Sequence, residues 1–139
     1  MNPLNVPVEE FTTPDPITAP DSMMIDDINR LMQDNGIRHL PIVKGEKVVG
    51  IISDRDLRIA LGLSSREKML VRAEDIMIAE PVTVSSQSTL DDVAFEMSEK
   101  KIGSVIVNDE NDKLYGIFTV TDALNALIEI ARSNQDERD

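Results

Sequence analysis

Apolar residues recur along this chain in two alternating rhythms. Ile25, Ile28, Leu31 and Met32 are spaced by three, three and one, and Leu90, Val93, Ala94 and Met97 keep the same helical period. Each set predicts an amphipathic helix with one apolar stripe. Shorter apolar runs bounded by polar turns predict strands. These are Leu40 to Val43 and Val48 to Ser53, joined by Lys44-Gly45-Glu46-Lys47, then Val105 to Val107 and Leu114 to Thr119, joined by Asn108 through Lys113. An extended piece opening on proline, Pro16 to Ala19 or Pro81 to Val84, precedes each amphipathic helix. A further helix follows each hairpin, from Arg55 to Leu61 and from Thr121 to Ala131. The predicted order is β-α-β-β-α, twice. Asp21 or Ser22 is the expected cap of the first long helix, Ser88 with Asp91 forms an expected capping box for the second, and Asn35-Gly36 supplies a left-handed stop.

The two halves are copies of one unit. Glu9 falls on Glu74, Pro16 on Pro81, Thr18 on Thr83, Asp26-Asp27 on Asp91-Asp92 and Ile37 on Ile102, a shift of 65 residues. After one extra loop residue the shift is 66, and Gly50-Ile51 falls on Gly116-Ile117, Asp56 on Asp122 and Ala60-Leu61 on Ala126-Leu127. Two copies are too few for a solenoid, so two small units packed about a pseudo-twofold axis are expected. The predicted fold class is α+β (α/β), with repeats at 8–63 and 73–131. Ser64-Ser65-Arg66-Glu67 reads as the start of a linker helix over 64–72, and 132–139 reads as a polar, frayed tail.

Composition narrows the function. Asp and Glu number 26 against 14 Lys and Arg, a net charge of −12, so phosphate backbones and anionic lipid are repelled. Aromatic residues are 3% with no Trp, which removes a stacking platform for single strands and leaves a core of Ile, Val, Leu, Met and Ala. There is no cysteine, hence no disulfide, thiolate metal site or thiol nucleophile, and the composition fits a reducing cytoplasm. No apolar run approaches the roughly 20 residues of a membrane helix. The amino end lacks a basic-then-apolar leader, and Met1 with the polar tail is read as bounding a whole gene product.

The chemistry gathers where the last strand of each copy ends, in Gly50-Ile51-Ile52-Ser53-Asp54-Arg55-Asp56 and Gly116-Ile117-Phe118-Thr119-Val120-Thr121-Asp122. A hydroxyl closes the strand and a carboxylate follows in the first helical turn. There the carboxylate is stabilised by the positive helix end, and its two oxygens can accept from both hydroxyls of a ribose diol. Ser53, Thr119 and Thr121 add short donors for a sugar or phosphate. Each carboxylate with its hydroxyl also suits a plain helix cap, a reading that the repetition of the spacing weakens.

The duplicated β-α-β-β-α pattern ending in Gly-apolar-x-Ser/Thr-x-x-Asp, together with Ile37-Arg38-His39-Leu40-Pro41-Ile42-Val43, resembles the CBS domain family, named after cystathionine β-synthase, over Val8 to Ala131. The resemblance implies a stand-alone tandem pair with clefts shared between its repeats, binding AMP, ADP, ATP or S-adenosylmethionine. It implies that Asp56 and Asp122 hold ribose, that Ser53, Arg55, Thr119, Thr121, Arg38 and His39 attend sugar and phosphate, and that Ile17, Thr18, Ile37, Val82, Thr83 and Ile102 enclose adenine. The four aliphatic members of that last set equally suit the core. Arg38, His39, Arg55 and Arg58 correspond to Gly103, Ser104, Thr121 and Leu124, so the two clefts are expected to differ toward phosphate, with Lys100 and Lys101 the nearest compensating cations.

No catalytic function is expected, because no nucleophile-base arrangement or Gly-rich phosphate loop is present, and Asp26-Asp27 and Asp91-Asp92 fall on polar helix faces. His39, the single histidine, cannot make a metal site by itself, so neither a metal nor a required cofactor is expected. The expected protein is a sensor that shifts between conformations on ligand binding, pairs into a homodimeric disc of four repeats and signals to a regulated protein. It inserts in no membrane and binds no nucleic acid. The rival reading is a dimerisation module with empty or degenerate clefts.

Overall fold

The computed structural model describes residues 2–138 of the chain. In chain order its elements begin with a single 3-10 turn at Val8–Phe11, then β1 (Thr13–Pro14), β2 (Ala19–Pro20), α1 (Ile25–Asn35), β3 (His39–Lys44), β4 (Lys47–Ser53) and α2 (Asp54–Ala60). Three short pieces follow: α3 (Ser65–Lys68), α4 (Ala73–Ile76) and β5 (Ile78–Ala79). The second half supplies β6 (Thr83–Ser85), α5 (Leu90–Lys100), β7 (Ser104–Asn108), β8 (Leu114–Thr119) and α6 (Val120–Arg138).

These elements divide into two compact units. One is Pro16–Pro81; the other joins the segment up to Asp15 to the segment from Val82, and is called the composite unit below. The 16–81 unit has the sheet order β2-β3-β4-β5, and the composite unit has β1-β8-β7-β6. Ile25, Ile28 and Met32 of the first helical stripe meet Leu40, Ile42 and Ile52 in one core. Leu90, Val93 and Met97 meet Val105, Val107 and Phe118 in the other.

Repeats and units are cut at different places. The backbone N–H groups of Val8 and Glu9 donate to the Ser88 and Ser86 carbonyls at 2.7 and 3.2 Å. Those of Ala73 and Glu74 donate to the Met23 and Asp21 carbonyls at 2.8 and 2.9 Å, which is the same arrangement 65 residues apart. Beyond these anchors β1 pairs with β8, Thr13 opposite Ile117, and β5 pairs with β4, Ile78 opposite Ile51. Each sheet edge is therefore filled by the segment that, in sequence, leads the other repeat, which satisfies ladder groups that an open edge would leave unpaired.

Several boundaries depart from the sequence expectation. Neither Asp21 nor Ser22 caps α1, whose N-cap is Met24 without a side-chain bond. The N-cap of α5 is Thr89 rather than Ser88. Backbone carbonyls of the amino-terminal segment replace the expected box: Leu90 N–H donates to Val6 at 2.8 Å and Asp91 N–H to Leu4 at 3.3 Å. The Thr89 hydroxyl instead holds the Asp91 carboxyl below its ordinary pKa. At α3 the expected box is present, with Glu67 N–H donating to Ser64 Oγ and Ser64 N–H to Glu67 Oε1, both at 3.1 Å. The extended pieces are shorter than predicted, since Pro16 and Pro20 offer no ladder donor. Finally, α6 continues past Ala131 to Arg138 because neither Gly nor Pro interrupts it; Asp139 lies outside the described residues.

Gly116 is where a strand crosses closely. A Cβ there would fall against the Thr13 carbonyl oxygen and 2.7 Å from Thr12 Cγ2, backbone and buried side chain that have little room to give. At Gly50 the obstacle is the flexible Met77 side chain. Gly116→Ala is expected to cost roughly 1–3 kcal/mol by overpacking and Gly50→Ala measurably less. Urea midpoints check this, and equal losses would contradict the difference.

Candidate functional site

Strand direction brings the predicted residues together within each unit. In the 16–81 unit β2 and β3 run parallel, so their starts share one end of the sheet, and antiparallel β4 finishes at that same end. Ile17 and Thr18 before β2, Ile37 and Arg38 before β3 with His39 opening it, and Ser53 closing β4 with Arg55 and Asp56 just beyond it therefore converge. His39 is directly opposite Ser53 in the register. The composite unit repeats this with Val82 before β6 and Thr83 opening it, Ile102 before β7, and Thr119 closing β8 with Thr121 and Asp122 just beyond it. Ser104 is opposite Thr119 there.

The hydroxyl and the carboxylate form the same constellation twice. Ser53 Oγ accepts from Asp56 N–H at 3.2 Å and donates to Asp56 Oδ2 at 2.9 Å, while Ser53 N–H donates to that same oxygen at 3.3 Å. Thr119 Oγ1 accepts from Asp122 N–H at 3.3 Å and donates to Asp122 Oδ2 at 3.0 Å, with Thr119 N–H at 2.9 Å. The cap is therefore real in both units, and it occupies only one oxygen of each carboxylate. Asp56 Oδ1 accepts no hydrogen bond among the described residues. Asp122 Oδ1 lies 3.5 Å from Thr13 Oγ1, a long contact. Each aspartate is fixed by Oδ2 and presents Oδ1, an arrangement able to accept from a vicinal diol.

Thr13 was not legible as a site residue. It arrives on the exchanged segment, and the residue 65 positions later is Ile78, so the repeat offers no signal for it. Asp56 also lines a pocket of about 310 Å³ with Ile59, Ala60, Leu63 and Ile76.

The remaining predicted residues divide by environment. Arg38 and Arg55 are exposed, and neither has an ion pair among the described residues. The Arg38 carbonyl accepts Asp54 N–H at 2.8 Å, which ties the start of α2 to the approach to β3, as Gly103 does for Val120 N–H at 3.1 Å. Arg58 is turned to Asp54 at 3.6 Å along its own helix. Lys100, expected as a compensating cation, is engaged by Glu96 at 2.7 Å. Ile17, Ile37, Val82 and Ile102 are half-buried and pack on their cores while keeping an accessible side. Thr18 and His39 are half-buried, and Thr83 and Thr121 are exposed. Among the described residues, no three His, Cys, Asp or Glu side chains gather as metal ligands, and no helix is long and apolar enough to cross a membrane.

Comparison with known proteins matches this chain to a family. The CBS domain family model matches residues 8–63 and 73–129. The chain is 32% identical over 114 residues to inosine-5'-monophosphate dehydrogenase of Korarchaeum cryptofilum, covering 82% of this chain and 23% of that protein. It spans between 20% and 62% of the length of such curated relatives. Among solved structures it is similar to CBSX2 of Arabidopsis thaliana in complex with AMP, at 26% identity and a TM-score of 0.77, covering 91% of this chain and 98% of that one. It is also similar to the CBS domain pair of protein MJ0100 in complex with 5'-methylthioadenosine and S-adenosyl-L-methionine, at 31% identity and a TM-score of 0.76, covering 87% and 94%.

Proposed function

The chain belongs to the CBS domain family, with two copies of the domain, and from that premise we propose that it is a non-catalytic sensor of an adenosine-containing ligand: AMP, ADP, ATP or S-adenosylmethionine. The observation that carries this reading is the paired constellation in which Asp56 and Asp122 are each held by one oxygen and offer the other. In this reading the free oxygens take ribose hydroxyls. Ser53, Thr119 and Thr121 serve the sugar and phosphate, and Ile17, Thr18 and Ile37, or Val82, Thr83 and Ile102, form an aliphatic bed for the base. Arg38 and Arg55 bring cations, and His39 an imidazole, to positions of the 16–81 unit that in the composite unit are Gly103, Thr121 and Ser104, so phosphate-rich ligands favour the 16–81 unit and less charged adenosine compounds favour the composite unit. The AMP complex of CBSX2 and the S-adenosylmethionine complex of the MJ0100 pair support the ligand class. We further propose that the protein acts as a homodimer and passes ligand occupancy to a regulated protein by a shift of population, limited by the ligand's differential affinity for the two states.

The complete capping boxes favour one rival, a dimerisation module that binds nothing. Thermal shift against AMP, ADP, ATP and S-adenosylmethionine separates them. A ligand of the folded state alone adds about 2.7 kcal/mol at a hundred times its Kd, so the melting temperature rises with concentration. Silence with all four would leave the dimerisation module.

A further inference from the structure

Beyond Asp56, along α2 and the turn that ends it, stand Ile59, Ala60 and Leu63. With Ile76 of α4 they wall the pocket of about 310 Å³ that Asp56 borders. The repeat shows that the fold does not require an apolar stripe here. The matching positions of the composite unit are Asn125, Ala126, Glu129 and Phe11, and Asn125 and Glu129 are exposed on α6. Only the alanine is common to both copies, and it is buried in each. The sheet edge carries the same contrast. Thr13, whose hydroxyl lies 3.5 Å from Asp122 Oδ1, is opposite Ile117, and the residue in its place opposite Ile51 is Ile78. Ile59 and Ile78 stand 72% and 59% exposed, so neither fills a core. Aliphatic side chains gathered at a pocket without a structural need for them mark a contact with something apolar.

Three chemistries meet at this pocket. Asp56 Oδ1 accepts no hydrogen bond among the described residues and suits a diol. Arg55 is four residues before Ile59 on the same helix, and the Arg38 carbonyl accepts from Asp54 at the start of that helix. Both arginines are exposed, have no ion pair among the described residues and suit an anion. The aliphatic walls suit neither group. A phosphate would lose its hydration against them, whereas an alkyl chain gains by burial there.

We propose that this pocket is a subsite for a short aliphatic chain carried by the nucleotide of the 16–81 unit, which thus reads an adenylate esterified or acylated on its phosphate. The ribose is held by Asp56, the phosphate by Arg38 and Arg55, and the chain runs over Ile59, Ala60 and Leu63. This deepens the reading of Asp56 as a ribose acceptor and rests on it. An acyl thioester of coenzyme A brings the same adenine and chain, but its ribose is phosphorylated at the 3' position and offers Asp56 no free diol.

Calorimetric titration of the full chain with the methyl and the butyl ester of AMP, which carry equal charge, tests the subsite; Asp122→Ala serves as background to confine the measurement to the 16–81 unit. The butyl ester is expected to bind about tenfold tighter, its additional methylene groups being partly buried. Ile59→Asn and Leu63→Glu give the pocket the residue types of the composite unit, and each should bring the ratio of the two affinities to about one. Circular dichroism is the fold control for Leu63→Glu, and Ile59→Asn changes an exposed position. Equal affinity of the two esters, or binding of AMP alone, would overturn the subsite and leave the adenosine reading standing. Silence of both esters and of AMP would overturn the ribose role of Asp56 itself. A tenfold preference that survives both variants would overturn the pocket assignment. Butyryl-coenzyme A binding as tightly as the butyl ester would overturn the adenylate and give the pocket to an acyl thioester.

Discussion

Asp122→Ala is expected to weaken binding of an adenosine ligand by roughly 10- to 100-fold while the chain stays folded, because hydrogen bonds to a charged acceptor are worth about 1.5–3 kcal/mol. The competing effect is loss of the cap. In the variant the backbone N–H of residue 122 keeps its acceptor, Thr119 Oγ1, but Thr119 N–H loses Oδ2, so stability should fall by about 1 kcal/mol. Asp122→Asn separates the two roles. Its side-chain carbonyl can still accept from Thr119 and preserve the cap, whereas the charge that strengthens ribose binding is gone. Calorimetric titration with the ligand that gives the largest thermal shift, alongside urea denaturation, reads both quantities. If Asp122→Ala loses stability but not affinity, the carboxylate is a cap and nothing more. The parallel variant Asp56→Ala probes the unit in which, among the described residues, Oδ1 accepts no hydrogen bond and Arg38 and Arg55 have no ion pair, so its effect should grow with the number of phosphates on the ligand.

Features carried by local pattern are legible in the sequence. The stripe of Ile25, Ile28 and Met32, the left-handed stop at Gly36, the box at Ser64 and Glu67 and the strand-end Ser/Thr-x-x-Asp all depend on residues within a few positions of each other. What escaped depends on chain segments far apart in sequence. No periodicity shows that the Val6 and Leu4 carbonyls cap α5, since carbonyls belong to every residue. The exchange of the segments leading into β1 and β5 is invisible in the repeat for the same reason. The shift of 65 shows that Glu9 and Glu74 are equivalent, not which sheet each segment joins. Thr13 was lost with it. Gly116 was legible as part of a motif, yet the steric reason for a glycine there, the Thr13 carbonyl, lies on that exchanged strand.

Phe118→Ala is expected to cost about 3–5 kcal/mol, a large share of the 5–15 kcal/mol that holds a typical domain together. Phe118 is fully buried and packs in the core with Val8, Leu90, Val93, Met97, Val105, Val107 and Ala126. The truncation removes the largest side chain of that core, and neighbours on a paired strand cannot move in to fill the void. Phe118 is opposite Val105 in the β7–β8 ladder, so collapse toward it would distort the register. The matching position in the other unit is Ile52, also fully buried. Phe95→Ala is the control, because that ring is 67% exposed on α5 and its loss should stay within about 0.5 kcal/mol. Urea midpoints read the difference, and a cost for Phe118→Ala below about 1 kcal/mol would refute the packing argument. The consequence extends to the site, since Thr119 follows Phe118 directly and fixes Asp122 through three hydrogen bonds. When β8 loses its buried anchor, the carboxylate loses the frame that aims its free oxygen. Ligand affinity at the composite unit should therefore fall with Phe118→Ala even though no atom of that side chain belongs to the proposed site.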